Sequence, residues 1–212
     1  MKKVYVVGEA KHYASFITNI KLVDDITKAD IIVFTGGEDV DPSLYGEQKH
    51  HTTYSNLERD LYEKGEFEKI KPNQLVVSVC RGSQLMCVLN GGKLIQNVHG
   101  HALYHTHSII GADNVEYEIT STHHQMQYPY EMPHNDYDIL YWSTYKQSDI
   151  YEGSGIDEDI MYEEVEPEIV LYHKENTPKC LAIQGHPEYM RKDAPVVKML
   201  NTLINNLLKE LK

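Results

Sequence analysis

Short runs of consecutive apolar residues alternate along the chain with helical or polar stretches, the pattern of an α/β sheet buried on both faces. Residues 4–7 read as the first strand, Ile31–Phe34 as another stopped by Gly36-Gly37, and Leu75–Val79 as a third. Residues 57–70 predict a charged helix closed by Pro72, and residues 83–89 a helix that follows the third strand after a turn. Further strands are predicted over 116–119, 138–142, 168–172 and 180–184. Near the C-terminal end, Val196, Leu200, Leu203, Ile204, Leu207, Leu208 and Leu211 fall on one helical stripe with Pro195 near its start, which marks a packing helix. Residues 145–168 are acidic and weakly periodic and read as a surface excursion over the sheet. No repeat, low-complexity tract or linker divides the pattern, so one domain is expected over residues 1–212.

Charge then narrows the class. The 212 residues carry 20 Lys and Arg against 32 Asp and Glu, a net charge of −12, which opposes a nucleic-acid partner. Hydrophobic residues at 41% and charged residues at 25% are the proportions of a folded globular chain, not a disordered one. No apolar run approaches the roughly 20 residues of a membrane span, and the first apolar stretch is too short for a signal peptide. A cytoplasmic protein with no membrane partner is therefore expected. The three cysteines, Cys80, Cys87 and Cys180, form neither a disulfide framework nor a zinc pattern.

Three local features carry chemistry. Cys80 ends an apolar strand and is followed by Arg81-Gly82-Ser83-Gln84 opening a helix, a strand-to-helix turn that forces its central residue into a strained, exposed position. The helix N-terminus places backbone N–H groups and a positive dipole end beside the sulfur. A second strand ends in Gly185-His186-Pro187-Glu188, an imidazole with a carboxylate two residues on to orient it. The Gly36-Gly37 turn after a buried strand can aim backbone N–H groups inward as oxyanion donors, together with the amide of Arg81. Taken singly, each has a plain reading: an inert strand-end thiol, a turn with a solvent-facing acid, an ordinary glycine turn.

The combination is specific. Gly36-Gly37-Glu38-Asp39-Val40-Asp41-Pro42-Ser43-Leu44-Tyr45-Gly46, Arg59-Asp60, Cys80-Arg81-Gly82-Ser83-Gln84, Gly91-Gly92-Lys93-Leu94-Ile95-Gln96, Ser121-Thr122-His123-His124-Gln125 and Gln184-Gly185-His186-Pro187-Glu188 follow in order. Together they resemble the class I glutamine amidotransferase-like superfamily, and within it the γ-glutamyl hydrolase branch that includes γ-glutamyl-γ-aminobutyrate hydrolase. The resemblance spans roughly residues 31–188. It implies an α/β, flavodoxin-like fold with a mostly parallel central sheet, helices on both faces and a nucleophile elbow. It also implies a cysteine hydrolase that cleaves a γ-glutamyl amide through a thioester. Cys80 would be the nucleophile, His186 the general base and acid, and Glu188 its orienting acid. Gly37 and Arg81 would supply the oxyanion hole. Gln84, Ser121, Thr122 and His123 would hold the glutamyl head group. Arg59-Asp60 matches the branch motif and reads as a structural ion pair.

The chain departs from the branch at Ser78, where Gly is common two residues before the nucleophile, at Gly185, where a bulky aromatic is usual, and at Thr120, in place of a common Asn. These positions flank the pocket and bear on substrate identity. The rival reading is a glutaminase subunit that passes ammonia to a synthase partner; a third is a non-enzymatic, histidine-rich metal-binding protein. His99, His101, His105 and His107 are dense, and alternating residues share a strand face. No Cys or acidic residue completes that set before Asp113, and the resembled branch needs neither metal nor other cofactor. The expected partner is a small-molecule γ-glutamyl substrate, with a homodimer left open.

Overall fold

The fully apolar runs lie where both faces of the sheet are covered, as their composition demands. The structure is a computed structural model and describes residues 1–212, the side chains of Leu103 and Tyr104 excepted. In chain order it forms β1 (Lys2–Val6), β2 (Ile20–Leu22), β3 (Ile31–Phe34), α1 (Leu57–Phe67), β4 (Leu75–Val79) and α2 (Arg81–Leu89). β5 (Lys93–Ile95), β6 (Asn97–Val98), β7 (Ala102–Gly111), β8 (Glu116–Thr122), β9 (Met126–Tyr128) and β10 (Tyr137–Ser143) follow. β11 (Tyr151–Glu152), α3 (Glu158–Glu163), β12 (Pro167–Tyr172), β13 (Cys180–Ile183) and α4 (Pro195–Glu210) complete the chain.

Nine strands make one sheet in the order β2-β1-β3-β4-β13-β12-β10-β7-β8. From β2 to β13 neighbouring strands run parallel, the 2-1-3-4-5 order of a flavodoxin-like fold. β12, β10, β7 and β8 extend this half as antiparallel neighbours. Side chains of successive strand residues separate onto the two faces. Val4, Ile31, Val33, Val77 and Leu181 meet Val196, Leu200, Ile204 and Leu207 of α4. Ile32, Phe34, Val76 and Ala182 meet Leu85 and Met86 of α2 on the other. Each fully buried aliphatic or aromatic side chain here contributes about 1.5–3 kcal/mol relative to exposure. Among the described residues no helix is long and apolar enough to cross a membrane.

Boundaries shift where local caps decide. α1 stops at Phe67, short of Ile70, and α2 opens at Arg81, directly after Cys80. The stretch 145–168 is more than a surface excursion: Tyr151 and Met161 are buried with Ile95, Val98, Met126 and Tyr128, over two small ribbons pairing β5 with β9 and β6 with β11. Ile156 and Ile160 pack against the same cluster, so four apolar residues spaced among acids, without periodicity, seat the segment.

Candidate active site

β4 and β13 are parallel neighbours with Val79 opposite Ile183, so the residues that follow them emerge side by side at the carboxyl edge of the sheet. The Cys80 N–H donates to the Ile183 carbonyl at 2.8 Å. Cys80 itself sits at φ +50° and ψ −115°, strained for a residue with a side chain. The turn is fixed from below: the N–H and Oγ of Ser83 donate to the Cys80 carbonyl at 2.8 and 2.6 Å. It also packs tightly on β3, since a Cβ on Gly82 would stand 2.7 Å from the Phe34 carbonyl oxygen. Ser78 is tolerated in the buried strand beneath, its hydroxyl 3.5 Å from the Leu181 carbonyl.

His186 meets Cys80 from the end of β13. Its Nδ1 lies 2.7 Å from Oε1 of Glu188, a fully buried carboxylate. Burial opposes charge on the ring, but its hydrogen bonds to the Cys80 sulfur and Glu188 outweigh that and raise His186 to about 10. The His186 N–H donates to Thr120 Oγ1 at 2.7 Å, which gives that departure from the branch pattern a positional role. Gly185 has a similar explanation: a Cβ there would lie 2.6 Å from both the Thr120 carbonyl and Ile119 Cγ1, so β8 fills the space of an aromatic side chain. Cys87 and Cys180 lie in the core, and burial pushes both thiols up to about 12.

The Gly36-Gly37 loop closes over the same edge, an ideal Cβ on Gly36 falling 3.2 Å from His186 Cε1. Gly37 adopts φ +144°, and a side chain there would collide with the Arg59 guanidinium. Arg59 Nη2 donates to the Gly36 carbonyl at 3.0 Å and to Thr35 Oγ1 at 3.2 Å, while its Nε donates to Glu63 at 2.9 Å. Arg81 turns its side chain away from the elbow into the interior, where it pairs with Asp60 and Glu63. Arg59 and Asp60 are therefore not each other's partners. They belong to one network, joined through Glu63, that links the glycine loop to the residue after Cys80.

The four residues expected at the head group divide. Thr122 is exposed, whereas Gln84, Ser121 and His123 are buried. Gln84 Nε2 donates to the Gln125 carbonyl at 2.9 Å, and the Ser121 hydroxyl donates to the His101 carbonyl at 2.5 Å. His123 Nδ1 faces the Gln125 carbonyl at 2.9 Å. Of the dense histidines, His101 and His107 join His123 around Glu168, while His99 and His105 are exposed.

The Peptidase C26 family pattern matches residues 15–133, more than half of the chain. The chain belongs to the Peptidase C26 family. That match takes in the glycine loop and the elbow; His186 and Glu188 of this Peptidase C26 chain lie beyond it. Among curated relatives, Protein NtpR of Enterococcus hirae is 40% identical over 75 residues, which is 34% of the chain and 31% of NtpR. The chain thus spans about a third of the length of these curated relatives. The glutaminase domain of Trypanosoma brucei CTPS, solved with bound acivicin, superposes with a TM-score of 0.57 at 9% identity, over 99% of this chain and 94% of that one. A glutamine amidotransferase from Thermotoga maritima gives 0.53 at 12% identity, over 99% and 96%. The Peptidase C26 chain has the class I glutamine amidotransferase fold.

Two aromatic neighbours of His186 lie outside the expected site. Tyr189 stacks on the ring with centroids 4.9 Å apart and planes 14° from parallel, and Tyr13 approaches at 6.2 Å from a distant part of the chain. Tyr189 directly follows Glu188 and was open to notice by position; Tyr13 was not. Glu63 was legible only as an acid one turn along from Arg59 on a helix.

Proposed function

We propose that the chain is a cysteine hydrolase that cleaves a γ-glutamyl amide through a Cys80 thioester. The observation that carries this reading is the strained Cys80 turn facing a His186 whose ring is held by buried Glu188 at 2.7 Å. In the first step the Cys80 sulfur attacks the amide carbon. The C–N bond then breaks as His186 gives its proton to the departing amine. Water next attacks the thioester, His186 takes a proton from it, and glutamate leaves with Cys80 restored. Both tetrahedral intermediates carry an oxyanion, for which the N–H groups of Gly37 and Arg81 are the donors. The Arg81 N–H, at the first helical position, is among those a helix leaves without an internal acceptor. Gln84, one turn into α2, and exposed Thr122 are the positions assigned to the glutamyl head group.

A panel of γ-glutamyl amides incubated with the chain alone, with glutamate release as the readout, tests the reading. Release that requires a second protein and uses free glutamine would replace it with the glutaminase-subunit reading.

A further inference from the structure

Outside the Cys80 centre, the most concentrated set of buried ionisable groups is formed by His101, His107, His123, Glu166 and Glu168, all between 0% and 6% exposed. β7 and the residue before it, the residue after β8, and β12 with the residue before it bring them together from well-separated parts of the chain. The cluster borders the catalytic edge, because the Gln184 N–H donates to the Glu168 carbonyl at 2.8 Å, two residues before His186.

Its members stand at ion-pair distance from one another, yet their hydrogen bonding is incomplete. His101 Nε2, both ring nitrogens of His107, His123 Nε2 and both Glu168 carboxylate oxygens are buried without a well-formed hydrogen bond. Native interiors leave only a few such atoms unsatisfied per 100 residues, and here six fall in one cluster. Three donor atoms converge instead. His101 Nδ1 lies 3.5 Å from Glu168 Oε1, and as far from the Ser121 hydroxyl, His123 Nε2 lies 3.8 Å from Glu168 Oε1, and a donor atom from each of the three residues falls within 4.8 Å of the others. Donors about 2.0–2.1 Å from a tetrahedral ion stand about 3.3 Å apart, so the two separations to Glu168 Oε1 lie within about half an ångström of that geometry.

The opposite nitrogens are positioned as metal-bound histidines require. His123 Nδ1 faces the Gln125 carbonyl at 2.9 Å, which leaves Nε2 as the inward lone pair. His101 Nε2 lies 3.2 Å from Glu166 Oε2. Glu166 is itself anchored, accepting from the N–H groups of Gln147 and Ser148 and from the Tyr151 hydroxyl at 2.8–2.9 Å. His107 Nε2 stands 2.9 Å from Glu168 Oε1 and orients that carboxylate from its other side.

We propose that His101, His123 and Glu168 bind one divalent transition-metal ion of the Zn²⁺ class. Two imidazoles and one carboxylate are a donor set for that class rather than for Mg²⁺ or Ca²⁺. The ion ties the start of β7 and the end of β8 to β12 and so steadies Thr120 of β8, which holds the backbone of His186. This assignment takes Ser121 and His123 out of head-group binding. It does not depend on the hydrolase reading.

The full chain, stripped with a chelator, is titrated with Co²⁺ and followed by visible absorption, with bound metal counted by mass spectrometry. One Co²⁺ per chain, displaced by Zn²⁺, and a Tm that rises with Zn²⁺ are expected. Glu166→Gln weakens binding about 10- to 100-fold, His123→Gln and Glu168→Gln abolish it, and Cys80→Ser retains it. Absence of stoichiometric binding by the wild-type chain overturns the proposal, and that titration decides alone if Glu168→Gln does not fold. Binding unchanged in His123→Gln, or lost in Cys80→Ser, overturns it as well. A chain that binds Co²⁺ stoichiometrically but releases no glutamate keeps the metal site and loses only the hydrolase reading.

Discussion

Arg59 Nη2 donates a hydrogen bond to the Gly36 carbonyl at 3.0 Å, so a helix-borne guanidinium fixes the orientation of the peptide that joins the two loop glycines. In a trans peptide the carbonyl and the next N–H point in opposite directions. Holding the Gly36 carbonyl therefore aims the Gly37 N–H away from Arg59. The same guanidinium fills the space a side chain on Gly37 would need. The Arg59-Asp60 motif thus acts on the loop from beneath, through geometry rather than through contact with substrate.

Arg59→Ala is expected to lower kcat by up to about 10²-fold, the scale of losing one oxyanion donor, with KM little changed. Arg59→Lys recovers only part of the loss, because an ammonium cannot reproduce the planar fork. Steady-state kinetics on both variants, checked for folding by circular dichroism, measure this. An unchanged kcat, or a loss confined to KM, contradicts the positioning role.

Alkylation separates the three thiols. Iodoacetamide at neutral pH is expected to modify Cys80 well ahead of Cys87 and Cys180, whose thiols burial holds near 12. Peptide mass mapping over time reads the order. Equal rates at all three would remove Cys80 from its special position.

Breaking the buried network costs stability. Glu63 pairs with both Arg59 and Arg81, and Arg81 is 1% exposed. Glu63→Gln leaves a buried guanidinium short of a charge partner and is expected to destabilise the fold by about 3–5 kcal/mol. Denaturant unfolding provides the number, and a change near zero would show that Asp60 alone suffices.

The pH dependence of stability has a definite sign. His186 is raised in the folded chain from 6.5 to about 10, so the stability its protonated ring contributes is complete below about 6.5 and is lost as pH rises through about 10. The Tm difference between wild type and His186→Gln should therefore shift against the wild type across that window. A constant or oppositely moving difference contradicts the Cys80–His186–Glu188 coupling.

What the sequence disclosed follows from where the signals were local. β3, β4, β13 and α4 are nearly pure apolar runs or stripes, and the Cys80 turn is announced by its strand, its Gly82 and its helix. β7 escaped notice because its ten residues carry His, Thr and Ser rather than a continuous apolar run. The other antiparallel strands, β8, β10 and β12, are expected as strands over 116–119, 138–142 and 168–172, but strand direction leaves no mark on their patterns. The histidine cluster was visible along the chain but incomplete, since its carboxylate, Glu168, arrives from β12 only once the sheet is assembled. Tyr13 reaches His186 for the same reason: long-range packing leaves no mark on sequence spacing.

The central claim is that Cys80 carries the acyl group, and rapid quenching of the isolated chain with a γ-glutamyl amide tests it most directly. Mass spectrometry of the acid-quenched digest should find a glutamyl adduct on the peptide containing Cys80, together with free glutamate that accumulates without any added protein. Cys80→Ala should show neither. Glutamate release by Cys80→Ala at the wild-type rate, or an adduct on Cys87 or Cys180 instead, would contradict the account.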